Sequence, residues 1–266
     1  MASSTGAVRP TRSVIVTGAA AGIGLSSARE FARRGDGVVL ADIDASALGV
    51  ALAGLLADYP ASGAIAIPVD VADPDSVTEL VTAAQSAAAP LKVLHANAGI
   101  GIYADLEVMP TPDISRVLAV NLYGALLCCR AVLGPLRSNG GGAIVITSSV
   151  QANLSLPGCV AYAATKAGLI AAARTLAVEV GAHNIRVNCV SPGTIDTPML
   201  ERDMSGMDRD SADGFLDQVR RANALGRIGT AQEIAQAVAF LASDEASYIT
   251  GTNLLIDGGF SAVKRF

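Results

Sequence analysis

The sequence predicts an α/β protein: a parallel sheet of about seven strands with helices on both faces. Three observations predict it. Short β-rich runs alternate with longer helical patterns along the chain, the rhythm of parallel strands joined by crossover helices. A glycine-rich turn, "VTGAAAGIG" from Val16 to Gly24, joins the first β-rich run to the first helical pattern. Nearly every β-rich run also ends in turn chemistry or a polar side chain. With 266 residues, 51% of them hydrophobic, a single domain over 1–266 has ample material for a core.

In chain order, "SVIVT" (13–17) is the first strand and a helical pattern follows over 23–34. "GVVLA" (37–41) precedes a helix at 45–58, and "AIAIPV" (64–69) precedes one at 74–88. "KVLHAN" (92–97) leads to a long apolar helix at 112–137, and "AIVIT" (143–147) to another at 160–181. "IRVNCV" (185–190) is the sixth strand, 231–243 the last helix, and "NLLI" (253–256) the seventh strand. The expected strand order is 3-2-1-4-5-6-7. The stretch 199–225 breaks the rhythm: Met, Asp, Arg, Ser and Gly stand in loosely helical order. Such an insertion after a late strand is expected to form a lid over a site, at about 197–225.

Composition narrows the function. Net charge is −5, 16% of residues are charged, and no basic block stands out, so the footprint of a nucleic-acid binder is absent. The longest stretch without Asp, Glu, Lys or Arg, Ser138 to Thr165, is broken by Gly, Ser, Asn, Gln and Pro, which argues against a membrane span. "MASSTGAVRPTRS" at the amino terminus has no apolar core and does not read as a secretory signal. Cys128, Cys129, Cys159 and Cys189 show no framework spacing, and with two His no metal site is expected. Free thiols in a reducing cytoplasm are the expectation.

Gly18, Gly22 and Gly24 permit a tight turn, and the helix start behind them offers free N–H groups to a pyrophosphate. Ala21 and Ile23 complete that cradle. Structural turns share this composition. Eighteen positions after Gly24 stands Asp42, at the end of the second strand. An acidic residue there can accept hydrogen bonds from the adenosine ribose and repel a 2′-phosphate. No Arg or Lys occupies Ala19 or Ile43, so NAD is expected over NADP. The competing role for Asp42 is a helix N-cap, which Asp44 suits better.

In open parallel sheets, ligands bind outside the carboxyl ends of the strands. Thr17-Gly18, Asp42, Asp70, Asn97-Ala98-Gly99, Ser148-Ser149 and Ser191-Pro192-Gly193 all fall there. Singly, each reads as a turn residue; together they read as one crevice. Tyr162 and Lys166 stand four apart in "AYAATKAGLIA" and so share a helix face. A nearby ammonium is expected to lower the Tyr pKa and fit it for acid/base work. Ser149, thirteen residues earlier, could hold a carbonyl or alcohol oxygen. A core-edge Tyr beside a snorkelling Lys is the alternative.

The stretches "TGAAAGIG", "HANAG", "ITSS", "YAATK", "SPGTIDTP" and the long ending "GRIGTAQEIAQAVAFLASDEASYITGTNLLIDGG", with Asn121, run over about 13–260. In these the sequence resembles the short-chain dehydrogenase/reductase family in its compact single-domain form. The resemblance implies a Rossmann-type three-layer sandwich. It makes Tyr162 the proton donor or acceptor, and Lys166 the group that tunes it and bonds the nicotinamide ribose. Ser149 would position the substrate oxygen, and Asn121 a water linking Lys166 to solvent. Asp70 and Val71 would contact adenine beside Asp42 and Ile43. Asn97, Ala98 and Gly99 would lie along the cofactor. Pro192, Gly193, Ile195 and Thr197 would hold the nicotinamide end. "HANAG" departs from the family's more usual pair of Asn before Ala-Gly, and His95 is expected to be a packed, hydrogen-bonded residue with no catalytic part.

The implied chemistry is interconversion of a secondary alcohol and its ketone, with Ser149, Gln151, Cys159 and Tyr162 toward the substrate. Gln151 and Asn153 could read the hydroxyls of a polyol, sugar or hydroxylated ring, or be exposed loop residues. Ile100, Ile102, Leu154 and Leu156 could offer an apolar wall to hydrophobic ketones or cyclic alcohols. An NADPH-dependent 3-ketoacyl-acyl-carrier-protein reductase shares the motifs; Asp42 argues against it. A non-catalytic NAD sensor or scaffold need not keep Ser, Tyr and Lys together. Dehalogenating relatives replace the Lys and the glycine loop. Helices 112–137 and 160–181 carry small or apolar residues on more than one face, which a single sheet cannot cover. With the family's habit, this implies a homotetramer, or failing that a dimer.

Overall fold

The computed structural model describes residues 10–86 and 89–263. Most of the amino-terminal stretch, the last two positions of the helix expected at 74–88, and Lys264 lie outside the described residues. Strand β1 (Ser13–Thr17), β2 (Gly37–Asp42), β3 (Ile65–Pro68), β4 (Leu91–Ala96), β5 (Gly142–Thr147) and β6 (Ile185–Pro192) match the expected runs within two residues at either end. β7 (Ile195–Asp196) and β8 (Gly229–Thr230) form a separate two-stranded ladder, so the expected seventh strand is β9 (Asn253–Ile256). The main sheet is parallel throughout, in the order β3-β2-β1-β4-β5-β6-β9.

The strands are apolar on both faces because both faces are covered. Successive β1 side chains diverge: Val14 and Val16 join Phe31, Leu48, Leu55 and Val238, while Ile15 joins Val77, Leu80, Val132 and Leu169. The first group comes from α1 (Gly22–Arg33), α2 (Ala45–Asp58) and α9 (Ala231–Leu241). The second comes from α3 (Pro74–Gln85), α5 (Ala125–Ser138) and α6 (Val160–Val180). Each such side chain taken from water contributes roughly 1.5–3 kcal/mol. Cys128 and Cys129 are both buried in the second core.

The helix expected at 112–137 is not continuous. It comprises α4 (Thr111–Leu118), a π-helical turn (Ala119–Gly124) and α5. The widened turn holds buried Asn121, whose amide grips the main chain of Ile100. It also sets Gly124 where a Cβ would lie 2.9 Å from the Val71 carbonyl oxygen. The composite run Thr111–Ser138 is long and apolar enough to cross a membrane by length and composition, but its buried side chains pack on the sheet.

The expected lid is α7 (Pro198–Met204) and α8 (Arg209–Ala222). Its two ends are tied by the β7–β8 ladder, in which Ile195 pairs with Gly229. α7 is capped by Thr197 and α8 by Asp208. All seven strands of the main sheet run the same way, so the glycine turn, Asp42, Asn97, Ser149 and Pro192 share one edge.

Candidate active site

At the glycine turn, Gly18 has φ +67°, and a Cβ on Gly24 would lie 1.9 Å from the Gly18 carbonyl oxygen. Only glycine allows α1 to start this close to the turn. Ala21 precedes α1 in extended conformation, and no side chain caps that end. Its first N–H groups therefore remain free for an anion. Asp42 Oδ2 accepts from Ala20 N at 3.0 Å and Oδ1 from Asp44 N at 3.1 Å, which holds the carboxylate against the turn. Asp44, not Asp42, caps α2 by accepting from Ala47 N. Ile43 is exposed beside it, Val71 is buried, and Asp70 Oδ1 accepts from Ala72 N. These residues, with the uncapped helix end, fit a dinucleotide.

A directed polar chain runs behind the turn. Asn97 Nδ2 donates to the Thr17 carbonyl (3.1 Å), and the Asn97 and Ala98 amides donate to Thr17 Oγ1. That orientation turns Asn97 Oδ1 toward Thr147 Oγ1, which donates to it at 3.1 Å. Having spent its proton, Thr147 Oγ1 accepts from His95 Nε2 at 2.9 Å. His95 is fully buried, and burial pulls its pKa down to about 3. It is the packed, hydrogen-bonded residue expected from "HANAG".

Ser149, Tyr162 and Lys166 meet where β5 ends against α6. Ser149 is extended at the start of a 3₁₀ turn (Val150–Ala152), and its Oγ accepts from Gln151 N at 3.2 Å. Its own proton is left to donate, and the Ser149 hydroxyl contact favours the Tyr162 phenolate. Lys166 is buried and donates to the Thr147 carbonyl at 2.9 Å, with Nζ 5.6 Å from the Tyr162 ring centre. Its turn of α6 is fixed by Ser148, which donates to the Lys166 carbonyl. Gly99 leaves room for both: a Cβ there would be 3.3 Å from Asn121 Oδ1 and 3.5 Å from Lys166 Nζ.

The expectation that Lys166 lowers the Tyr162 pKa does not hold in this state. Burial of the phenol dominates and pushes it up to about 12, while burial pulls Lys166 down to about 8. The physical reason is shared desolvation: both groups are removed from water, which disfavours the charged form of each.

Of the residues expected toward the substrate, Cys159 is buried and half-buried Gln151 uses its carbonyl to accept from Leu156 N, closing a loop. Asn153 is exposed. Gly193 N donates to the Ile256 carbonyl, Ile195 is buried and Thr197 Oγ1 contacts the Ile195 carbonyl, beside buried Pro192. Sequence reasoning missed Thr147, Tyr103 and Asp203. Thr147 holds Lys166 and the His95–Asn97 chain, and its place one residue before Ser148 was the available signal. Tyr103 meets the Tyr162 ring edge-on at 5.6 Å between centres. Asp203, on α7, faces the Tyr103 hydroxyl.

A family model described as enoyl-(acyl carrier protein) reductase matches residues 18–261. The chain is 39% identical to cis-4-hydroxycyclohexanecarboxylate dehydrogenase of Sinomonas cyclohexanicum, over 95% of this chain and 97% of that one. It is 38% identical to a 3-oxoacyl-acyl-carrier-protein reductase of Chlamydia muridarum, over 94% and 97%. The crystal structure of levodione reductase superposes with a TM-score of 0.90 at 34% identity, covering 97% of this chain and all of that one.

Proposed function

Because the chain belongs to the short-chain dehydrogenase/reductase family and is an oxidoreductase of that kind, we propose that it interconverts a secondary alcohol and its ketone with NAD. One observation carries the reading: Ser149, Tyr162 and Lys166 lie together at the sheet edge that also holds the uncapped α1 and Asp42. The nicotinamide, when bound, accepts or supplies the hydride. Ser149, with its proton free, orients the substrate oxygen. Tyr162 exchanges the proton with that oxygen as general acid or base. Lys166, anchored on the Thr147 carbonyl, stands 5.6 Å from the Tyr162 ring centre, placed to bond a nicotinamide ribose. Asn121, held by two bonds between its amide and the Ile100 main chain, is placed to organise a water that links Lys166 to solvent.

Asp42 supports NAD over NADP, since its carboxylate repels a 2′-phosphate; the same feature disfavours the acyl-carrier-protein reductase reading, which a named relative keeps in view. The substrate class we favour is a polyol, sugar or cyclic alcohol, and the compartment the cytoplasm. Exposed Leu118, Tyr123 and Leu126 on the α4–α5 run, with Val160 and Val178 on α6, support a homotetramer. The test is oxidation of secondary alcohols, polyols, sugars and cyclic diols with NAD and NADP, read at the nicotinamide absorbance band. NAD-linked turnover of at least one class supports the reading. Strict NADP use with an acyl thioester would replace it.

A further inference from the structure

The loop after β4 sets one aromatic ring against Tyr162. The Tyr103 and Tyr162 ring centres are 5.6 Å apart with their planes at 64°, an edge-on pair. The backbone on both sides of Tyr103 is anchored to the start of α6, the helix that carries Tyr162. Ile100, Ile102 and Ala104 pack on a small core of Met109, Val117 and Ala161, and Ala161 directly precedes Tyr162. Ala104 N also donates to the Gly158 carbonyl at 3.0 Å, just before α6 begins. Gly101 gives the ring its place: a Cβ there would lie 2.5 Å from the Tyr103 hydroxyl oxygen and 2.8 Å from Cζ, and would push the ring aside. A ring that served only to pack Tyr162 would be enclosed, yet Tyr103 keeps 41% of its surface exposed. The loop to which Ala104 is bonded, 151–158, is closed by Leu156 N donating to Gln151 Oε1, and it exposes Leu154 and Leu156.

We propose that Tyr103 is a specificity-determining residue of the site: its exposed ring is the wall on which the carbocycle of a cyclic secondary alcohol or ketone lies while the oxygen meets Ser149 and Tyr162. This rests on the reading of the site as an alcohol dehydrogenase, and it narrows the substrate to ring-borne hydroxyls. A rigid ring lays its C–H surface on an aromatic wall as one body. A flexible chain of equal carbon number must first give up rotamer freedom to do the same. The wall is fixed before the substrate arrives, because the loop is held at both Ile102 and Ala104.

The test compares cyclohexanol with 2-hexanol, of equal carbon number, binding each to the protein saturated with NADH, which leaves alcohols unreacted. Calorimetry reads both dissociation constants in wild type, Tyr103→Phe and Tyr103→Ala. The ratio within one variant cancels any change in folding or cofactor binding, and Tyr103→Phe separates the ring from its hydroxyl. The expected result is a wild-type preference for cyclohexanol of about fivefold or more, kept within about twofold in Tyr103→Phe and reduced about threefold or more in Tyr103→Ala. A ratio unchanged by Tyr103→Ala, or an equal loss in Tyr103→Phe, overturns the proposal. So does a wild type that binds neither alcohol or favours 2-hexanol. If the ratios behave as expected but NAD oxidises no alcohol of the panel, the reading of the reaction fails and the selectivity of the ring stands.

Discussion

Thr147→Val removes one oxygen and nearly preserves shape, yet it strands two polar groups. The Thr147 hydroxyl donates to Asn97 Oδ1 at 3.1 Å and accepts from His95 Nε2 at 2.9 Å. His95 has no compensating partner, because its Nδ1 already has none among the described residues. A buried donor left unmet costs about 1–3 kcal/mol, and the half-buried Asn97 oxygen adds less because water can reach it. The sum is roughly 2–4 kcal/mol, or a melting temperature lowered by about 4–15 °C for a chain of this size. Urea and thermal unfolding of wild type, Thr147→Val and Thr147→Ser measure it; Thr147→Ser keeps the hydroxyl and should lose less than about 1 kcal/mol. Lys166 bonds the Thr147 main chain, so kcat should change little, while the KM for NAD rises as Asn97 loosens its hold on the glycine turn. A Thr147→Val protein within about 0.5 kcal/mol of wild type would refute the directed chain.

Two further outcomes follow from the same geometry. Asp42→Ala should lower kcat/KM for NAD by about 10–100-fold and raise it for NADP, since it removes a charged acceptor and a repelling charge together; an unchanged ratio of the two would remove Asp42 from cofactor selection. His95 is neutral when folded with a pKa near 3, so below pH 6.5 the unfolded chain binds more protons and stability falls as pH drops toward 3. Between pH 6.5 and 4.5 this contributes at most about 2.5 kcal/mol, and His95→Gln should lose less stability over that interval than wild type; equal losses would contradict the neutral buried imidazole.

Strand positions and order were legible because a parallel sheet covered on both faces demands unbroken apolar runs, and those runs stand out between helical patterns. The strand-end argument likewise needed only chain direction: once strands are parallel, Gly18, Asp42, Asn97 and Ser149 must share an edge. Three things were not legible. The π turn at Ala119–Gly124 adds one residue to a turn, and a 3.6-residue pattern cannot register that. The β7–β8 ladder pairs residues 34 apart in chain, Ile195 with Gly229, through only two residues each. The direction of the pKa shift on Tyr162 depends on how deeply its side chain is buried, and spacing on a helix does not set that. Tyr103 was invisible for a related reason: its place beside Tyr162 depends on the missing Cβ of Gly101.

The most direct test of the account is Tyr162→Phe. Phenylalanine keeps the ring beside Tyr103 and removes only the hydroxyl that Ser149 contacts. Steady-state oxidation of the best alcohol, with NADH affinity measured in parallel by fluorescence, separates chemistry from cofactor binding. The account predicts that kcat falls by about 10²-fold or more, the scale of a lost acid/base group, while the Kd for NADH stays within about threefold. A Tyr162→Phe enzyme that turns over at the wild-type rate would contradict it.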